Sequence, residues 1–197
     1  MDFRDETPVA VAHIPVAVGS ATTRLVILRG DSASGKTTTA LALRSVLGAR
    51  VALIHQDYIR REMLHEPDRR RRSKDASILL VGAARQALDL GYDVILDGIF
   101  NLRDYSEPFE RLHRDHRGVT RIYQFHVGLD ETLRRHAGRT LGGVISSEKI
   151  RDWYDGWQPL PWFDEERVGP EVGTDELVSV ILQDIGGRSP HPPRGIA

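Results

Sequence analysis

Short apolar runs alternate with amphipathic stretches along most of the chain. Residues 25–28 (LVIL) are continuously apolar, the pattern of a strand buried on both faces. A glycine-bearing loop follows. Lys36–Leu47 then places Ala40, Leu43 and Leu47 on one helical face, with Gly48 positioned to end the helix. The alternation repeats: a strand at 51–54, a short helix at 58–64, a helix at 77–90 closed by Gly91, and a third buried strand at 94–96 ending at Asp97. A polar helix is expected over 104–117, ended by Gly118, then a strand at 122–127 and a helix capped by Asp130 that runs to about Arg139. Residues 140–165 read as irregular apart from a helix at 147–154. A weak fifth strand falls near Arg167 and Val168. Thr174 and Asp175 open a last helix whose apolar face includes Leu177, Val178, Ile181, Leu182 and Ile185. Residues 1–23 read as an extension with one added strand between Val9 and Val18. The tail at 187–197 is rich in proline and glycine and reads as disordered.

Strands alternating with helices predict an α/β fold: three layers, α/β/α, around a mainly parallel five-stranded sheet. In such folds ligands bind beyond the carboxyl ends of the strands, which locates the site before any motif is considered.

The loop after the first strand carries the strongest chemical signal. Residues 30–37 read GDSASGKT and satisfy G-x-x-x-x-G-K-[ST] between a buried strand and an amphipathic helix, the context the motif needs. Gly30 and Gly35 let the chain bend so that its N–H groups turn inward on phosphate oxygens, and the helix dipole points at the same anion. The candidate nucleotide-binding set is Gly30, Asp31, Ser32, Ala33, Ser34, Gly35, Lys36, Thr37 and Thr38. Lys36 would reach the β- and γ-phosphates, and the Thr37 hydroxyl would ligate Mg²⁺. Phosphoryl transfer also needs a held metal and an oriented acceptor. Asp97, at the third strand's end, is the candidate second metal holder, the alternative being a cap on the next turn. Asp57, after the second strand, is the candidate base for an acceptor hydroxyl, and a helix N-cap is its plainer use.

These residues resemble a group of small P-loop kinases: those related to chloramphenicol phosphotransferase, zeta-toxin kinases, gluconate kinase and polynucleotide 5′-hydroxyl kinase. The resemblance spans about residues 24–185. It implies a P-loop NTPase fold, ATP as donor with Mg²⁺, and an acidic residue after the second strand activating the acceptor hydroxyl, matched by Asp57. It also implies a nearby substrate-orienting arginine, matched by Arg60 or Arg61, and a metal-serving acid at Asp97. In such kinases a lid after the fourth strand carries arginines that neutralise the transferring phosphoryl group. Here that lid would cover about 130–156 of a kinase domain at 24–186, with Arg139 first, then Arg135 and Arg134 as its candidates, and Gly138, Gly142 and Gly143 as its hinges. A solvated basic helix face is the alternative.

Composition narrows the classes. The 27 basic and 28 acidic residues nearly cancel, against a protein built mainly to bind nucleic acid or an anionic membrane. There is no cysteine, so disulfides, zinc thiolates and thiol nucleophiles are excluded. No apolar run approaches the ~20 residues a membrane span needs, and the acidic N-terminal stretch is unlike a secretory signal, so a cytoplasmic location is expected. The only asparagine, Asn101, is followed by leucine, so the N-K-x-D guanine-reading motif is absent; an AAA-type motor or a transporter would need more chain and further signatures. The arginine run at 69–72 reads as an exposed basic face rather than an RNA groove. Trp153, Tyr154, Trp157 and Trp162 read as a local core in preference to an acceptor pocket. His113 and His116 read as surface residues in preference to metal ligands. The favoured function is an ATP-dependent kinase acting on a hydroxyl of a small molecule. A nucleic-acid 5′-hydroxyl kinase and a non-catalytic ATP-binding module are the alternatives, and antibiotic, nucleoside, sugar and peptide acceptors all stay open.

Overall fold

The computed structural model describes residues 16–66, 74–137 and 146–186. Five strands form one sheet in the order β2-β3-β1-β4-β5, and every pairing is parallel. The strands are β1 (Arg24–Gly30), β2 (Val51–His55), β3 (Asp93–Asp97), β4 (Val119–Phe125) and β5 (Glu166–Val168). The helices are α1 (Lys36–Leu47), α2 (Gln56–Tyr58), α3 (Lys74–Asp89), α4 (Leu102–Asp115), α5 (Leu129–Ala137), α6 (Ser147–Asp152) and α7 (Thr174–Asp184), with a π-helical turn, Ile59–Met63, continuing α2.

The central strand is buried along its whole length, and its side chains sort by the two-residue period of a strand. Leu25 and Ile27 join Val94, Leu96 and Ile122 in a core closed by Leu80, Ala84 and Leu88 of α3 and by Tyr105, Phe109 and Leu112 of α4. Val26 and Leu28 join Ile95, Tyr123 and Phe125 in a second core closed by Ala40 and Leu43 of α1 and by Leu177, Val178 and Ile181 of α7. Two cores on opposite faces make the three layers predicted from the alternation. No helix among the described residues is long and apolar enough to cross a membrane.

Several expected boundaries move. The helix foreseen at 104–117 begins at Leu102, because Asn101 caps it through the Asp104 N–H, and ends at Asp115. Gly118 therefore serves another need: a Cβ there would lie 1.9 Å from the Thr23 carbonyl oxygen. Asp130 is not a cap, since α5 already starts at Leu129 and holds Asp130 in its first turn. The short helix begins at Gln56 and widens into the π-turn, where the Leu64 N–H reaches the Ile59 carbonyl at 3.0 Å. The strand expected between Val9 and Val18 lies largely outside the described residues; Val18 makes one parallel bridge to His116. The tail at 187–197 also lies outside them.

Candidate active site

Register assembles the site. Parallel pairing sets Asp97 opposite Leu28 on one side and His55 on the other, so the last residue of β3 sits beside the start of the phosphate loop and the end of β2. The loop then turns back into α1, bringing the Thr37 hydroxyl to the Asp97 carboxylate. Thr37 Oγ1 donates to Asp97 Oδ2 at 2.7 Å, and His55 Nδ1 lies 2.8 Å from the same oxygen. The other oxygen, Asp97 Oδ1, is buried and has no hydrogen-bond partner among the described residues. A capping role for Asp97 is not seen; Asn101 performs that task.

The loop passes close under β4. Gly30 has φ +130°, and a Cβ on it would fall 2.2 Å from the Phe125 carbonyl oxygen, so no side chain fits there. Lys36 is buried, and its Nζ donates to the Asp31 carbonyl at 2.6 Å and lies 3.0 Å from Ser34 Oγ. The Asp31 carboxylate turns away from the loop's mouth and accepts the N–H groups of Asp155 at 2.9 Å and Gly156 at 3.0 Å. Burial pushes this carboxyl above the ordinary aspartate range, against the pull of those two N–H groups and of Lys36.

A cavity of about 470 Å³ opens over the loop. Ser32, Ala33, Ser34, Gly35, Lys36 and Thr37 form one side, while His55, Asp57, Arg61 and Asp97 form the other. Gly30 and Asp31 lie behind it at a small recess, and Thr38 is exposed on α1. Asp57 is not an N-cap, because α2 starts one residue earlier; its half-exposed carboxylate has Arg61 as neighbour at 3.6 Å. Arg60 points elsewhere. It is buried, 3.6 Å from Glu66, and borders a second cavity of about 540 Å³. The two cavities share Gln56 and Ile99, and the Gln56 side chain accepts the Ile99 N–H at 2.9 Å.

Arg135 lies across the loop's outer edge. Its guanidinium donates to the Ser34 carbonyl at 3.2 Å and the Pro170 carbonyl at 3.1 Å, and it is held by Glu131. Arg134 pairs with Glu131 on the surface, and together the two arginines hold the Glu131 carboxyl down at about 2. Arg139, the three hinge glycines and the arginine run at 69–72 lie outside the described residues.

The aromatic residues divide. Trp153 borders the second cavity. Trp157 lies under the Arg167 guanidinium at 5.1 Å, and Trp162 stacks on His113 at 5.9 Å. The surface positions expected for His113 and His116 are not observed. His113 is packed against Trp162 and Phe163. His116 is buried, with Thr23 Oγ1 at 3.1 Å and Thr120 Oγ1 at 2.9 Å on its two ring nitrogens. Burial lowers both imidazole pKa values, that of His116 to about 4. No group of three or more His, Cys, Asp or Glu side chains suited to a metal occurs among the described residues.

Sequence reasoning missed four participants. His55 and Gln56 stand beside Asp57 in the chain, but no periodicity separates them from ordinary strand-end residues. Arg29 and Glu165 form a buried ion pair at 2.8 Å beside Gly30; they stand 136 positions apart, with no local signal.

Several solved structures with this fold are kinases by name. The APS kinase CysC of Mycobacterium tuberculosis, in complex with AMPPNP and APS, is 18% identical over 85% of this chain and 97% of its own, with a TM-score of 0.67. A protein of Chloroflexus aurantiacus presumed to be a kinase is 23% identical over 84% of this chain and 97% of its own, with a TM-score of 0.65. A gluconokinase from Sinorhizobium meliloti is 17% identical over 84% and 93%, with a TM-score of 0.59. At such identities the likeness is one of fold. No curated protein sequence matches the chain significantly. The family model described as an AAA domain matches residues 25–157. The match is to a domain, whereas the reading set aside for want of chain and further signatures was a whole AAA-type motor. The match covers more than half of the sequence, and the chain therefore belongs to the AAA domain family, with a P-loop kinase-like α/β/α architecture.

Proposed function

We propose that the chain is an ATP-dependent phosphotransferase that moves the γ-phosphoryl group of ATP to a hydroxyl of a small molecule. One observation carries this reading: the Thr37 hydroxyl and the Asp97 carboxylate meet at 2.7 Å in the cavity that Lys36 and Asp57 also line. The donor set suits Mg²⁺, a hard cation that takes oxygen ligands and is usually completed by substrate phosphates and water. Asp97 Oδ1, buried and without a hydrogen-bond partner among the described residues, supports that fit. When bound, Mg²⁺ would neutralise charge on the β- and γ-phosphates.

In this reading the loop's N–H groups and Lys36 hold the triphosphate, with Lys36 turning from the Asp31 carbonyl to phosphate oxygen. Asp57 accepts the proton of the acceptor hydroxyl as its oxygen attacks the γ-phosphorus. The bond from that phosphorus to the β,γ-bridging oxygen breaks, and ADP leaves. Arg135 at the loop's edge and Arg139 offset charge on the transferring group, while Arg61 beside Asp57 and Arg60 in the second cavity orient the acceptor. The test is acceptor-stimulated ADP release across a panel of hydroxylated metabolites and antibiotics. Asp57→Asn is expected to lower turnover by about 10²–10⁴-fold while nucleotide binding persists. A variant with undiminished turnover removes Asp57 as base. Wild-type protein that binds ATP and is stimulated by no acceptor supports a non-catalytic nucleotide module instead.

A further inference from the structure

The two residues flanking Gly30 reach in the same direction, away from the phosphate cavity. Arg29 Nη1 donates to the Gln158 carbonyl at 2.8 Å and pairs with Glu165. The carboxylate of Asp31, a residue only 4% exposed, takes the N–H groups of Asp155 and Gly156. Both ends of the bend at Gly30 are thus fastened to the segment that follows α6. With Asp152 at the end of α6, that segment is also a wall: Trp153, Asp155 and Gln158 line the cavity of about 540 Å³ together with Arg60 and Asn101. On its other side Asp31 is tied to the loop's own lysine, because its carbonyl receives Lys36 Nζ at 2.6 Å. One residue therefore touches both the group that must turn to meet a triphosphate and the backbone that shapes the neighbouring cavity.

We propose that Asp31 is a positioning residue that couples nucleotide occupancy of the phosphate loop to the geometry of the wall at residues 155–158. When Lys36 leaves the Asp31 carbonyl for phosphate, the peptide at Asp31 reorients within a loop newly held by the anion, and the carboxylate on that residue draws the Asp155 and Gly156 amides with it. A buried carboxylate kept only as a local clasp would hold these amides equally well with the loop empty or filled. Coupling requires the hold to change with the nucleotide. The inference rests on the proposed function only in taking the second cavity as the acceptor's space; the linkage itself concerns nucleotide and backbone.

The experiment is amide hydrogen exchange by NMR on the full chain, alone and with saturating Mg–AMPPNP. In the wild type, exchange at Asp155 and Gly156 is expected to slow at least about tenfold with the nucleotide, while amides in the middle of α7 do not respond. Unchanged rates at 155 and 156, or a protein that does not bind the analogue, overturn the proposal. In Asp31→Asn one acceptor oxygen is replaced by a donor. The amide left facing that donor should then exchange at least about tenfold faster without nucleotide, and its nucleotide-dependent slowing should vanish. If the slowing persists in the variant, Asp31 is not the coupler. Should the variant fail to fold, the wild-type comparison decides alone. Coupled exchange in a protein that phosphorylates no acceptor would sink the kinase reading and leave this inference standing. Turnover without any exchange response would do the reverse.

Discussion

Glu165→Gln offers the most direct measure of how the phosphate loop is held in place. Arg29, the residue before Gly30, has its side chain 2% exposed, and Glu165 is 1% exposed. Arg29 Nη1 contacts both Glu165 oxygens, at 2.8 and 3.0 Å, and Glu165 Oε1 also accepts the Leu160 N–H at 2.8 Å. The amide is nearly isosteric, so packing is preserved and one oxygen still accepts. The negative charge is what disappears. Beyond that oxygen the guanidinium is then left with neutral partners only: Gln124 Oε1 at 3.2 Å, the Gln158 carbonyl at 2.8 Å and the Phe100 carbonyl at 3.4 Å. Removing one partner of a buried pair costs about 3–5 kcal/mol. Three neutral acceptors share the stranded charge, which sets the expected loss at the low end, about 3 kcal/mol. Urea unfolding should show the midpoint falling by more than about 1 M, given slopes of about 1–3 kcal/mol/M. A double-mutant cycle with Arg29→Met should return a coupling of at least about 2 kcal/mol. A loss below about 1 kcal/mol with coupling under about 0.5 kcal/mol would mean that the guanidinium finds water or another counter-charge, and the account of a dry anchor behind the loop would be wrong.

Two further outcomes test the packing that positions the site. Gly30→Ala places a methyl group 2.2 Å from the Phe125 carbonyl oxygen at φ +130°, so β4 or the loop must move. A loss of at least about 3 kcal/mol is expected, seen as a drop in Tm of about 6–12 °C, and a variant melting within about 2 °C of the wild type refutes the contact. His116 should weaken the fold in acid. Its folded pKa is lowered to about 4, first by burial and then by His113, against the opposing pull of Asp93, whereas the unfolded imidazole titrates near 6.5. Between these values the unfolded state holds the extra proton, so stability is full above about 6.5 and falls as pH drops toward about 4. A shift of this size has a ceiling near 3 kcal/mol, and partial solvation brings it to on the order of 2 kcal/mol. Urea unfolding at pH 7 and pH 4.5 should show this share in the wild type and lack it in His116→Asn; equal pH slopes in the two proteins would show that the imidazole titrates normally.

What the chain reveals on inspection is governed by sequence distance. The buried run at 25–28, the loop motif and the amphipathic helix after it lie within about 25 consecutive residues, and α1 has the predicted bounds, Lys36–Leu47. Side-chain period and backbone geometry act locally there, so pattern suffices. The π-turn at Ile59–Met63 has no such signal, because an i→i+5 turn imposes no recurrent apolar spacing. The end of α4 is hidden for a related reason. Glycine after a helix resembles a stop, yet Gly118 is needed where two chain segments touch, at the Thr23 carbonyl.

Asp97 and His55 show where local reasoning stops. Each ends a strand, and each was visible as a polar residue after an apolar run. Only Asp97 signals a role, because strand ends in an α/β sheet face the ligand and a carboxylate there suits metal-assisted phosphate chemistry. What brings His55 to the same oxygen is the parallel pairing of β2 with β3, in which His55 and Asp97 are direct partners. That register depends on the lengths of the connections between strands and on packing against α3, neither of which a motif records. Asp31 extends the point. As a member of the phosphate loop it offers its backbone N–H, the part that the motif specifies. Its side chain, which the motif leaves free, is the part committed 124 positions away, at the Asp155 N–H. In the proposed reading, the positions that the motif leaves free, in a loop whose main chain would bind phosphate, are therefore where this protein joins that common chemistry to its own second cavity.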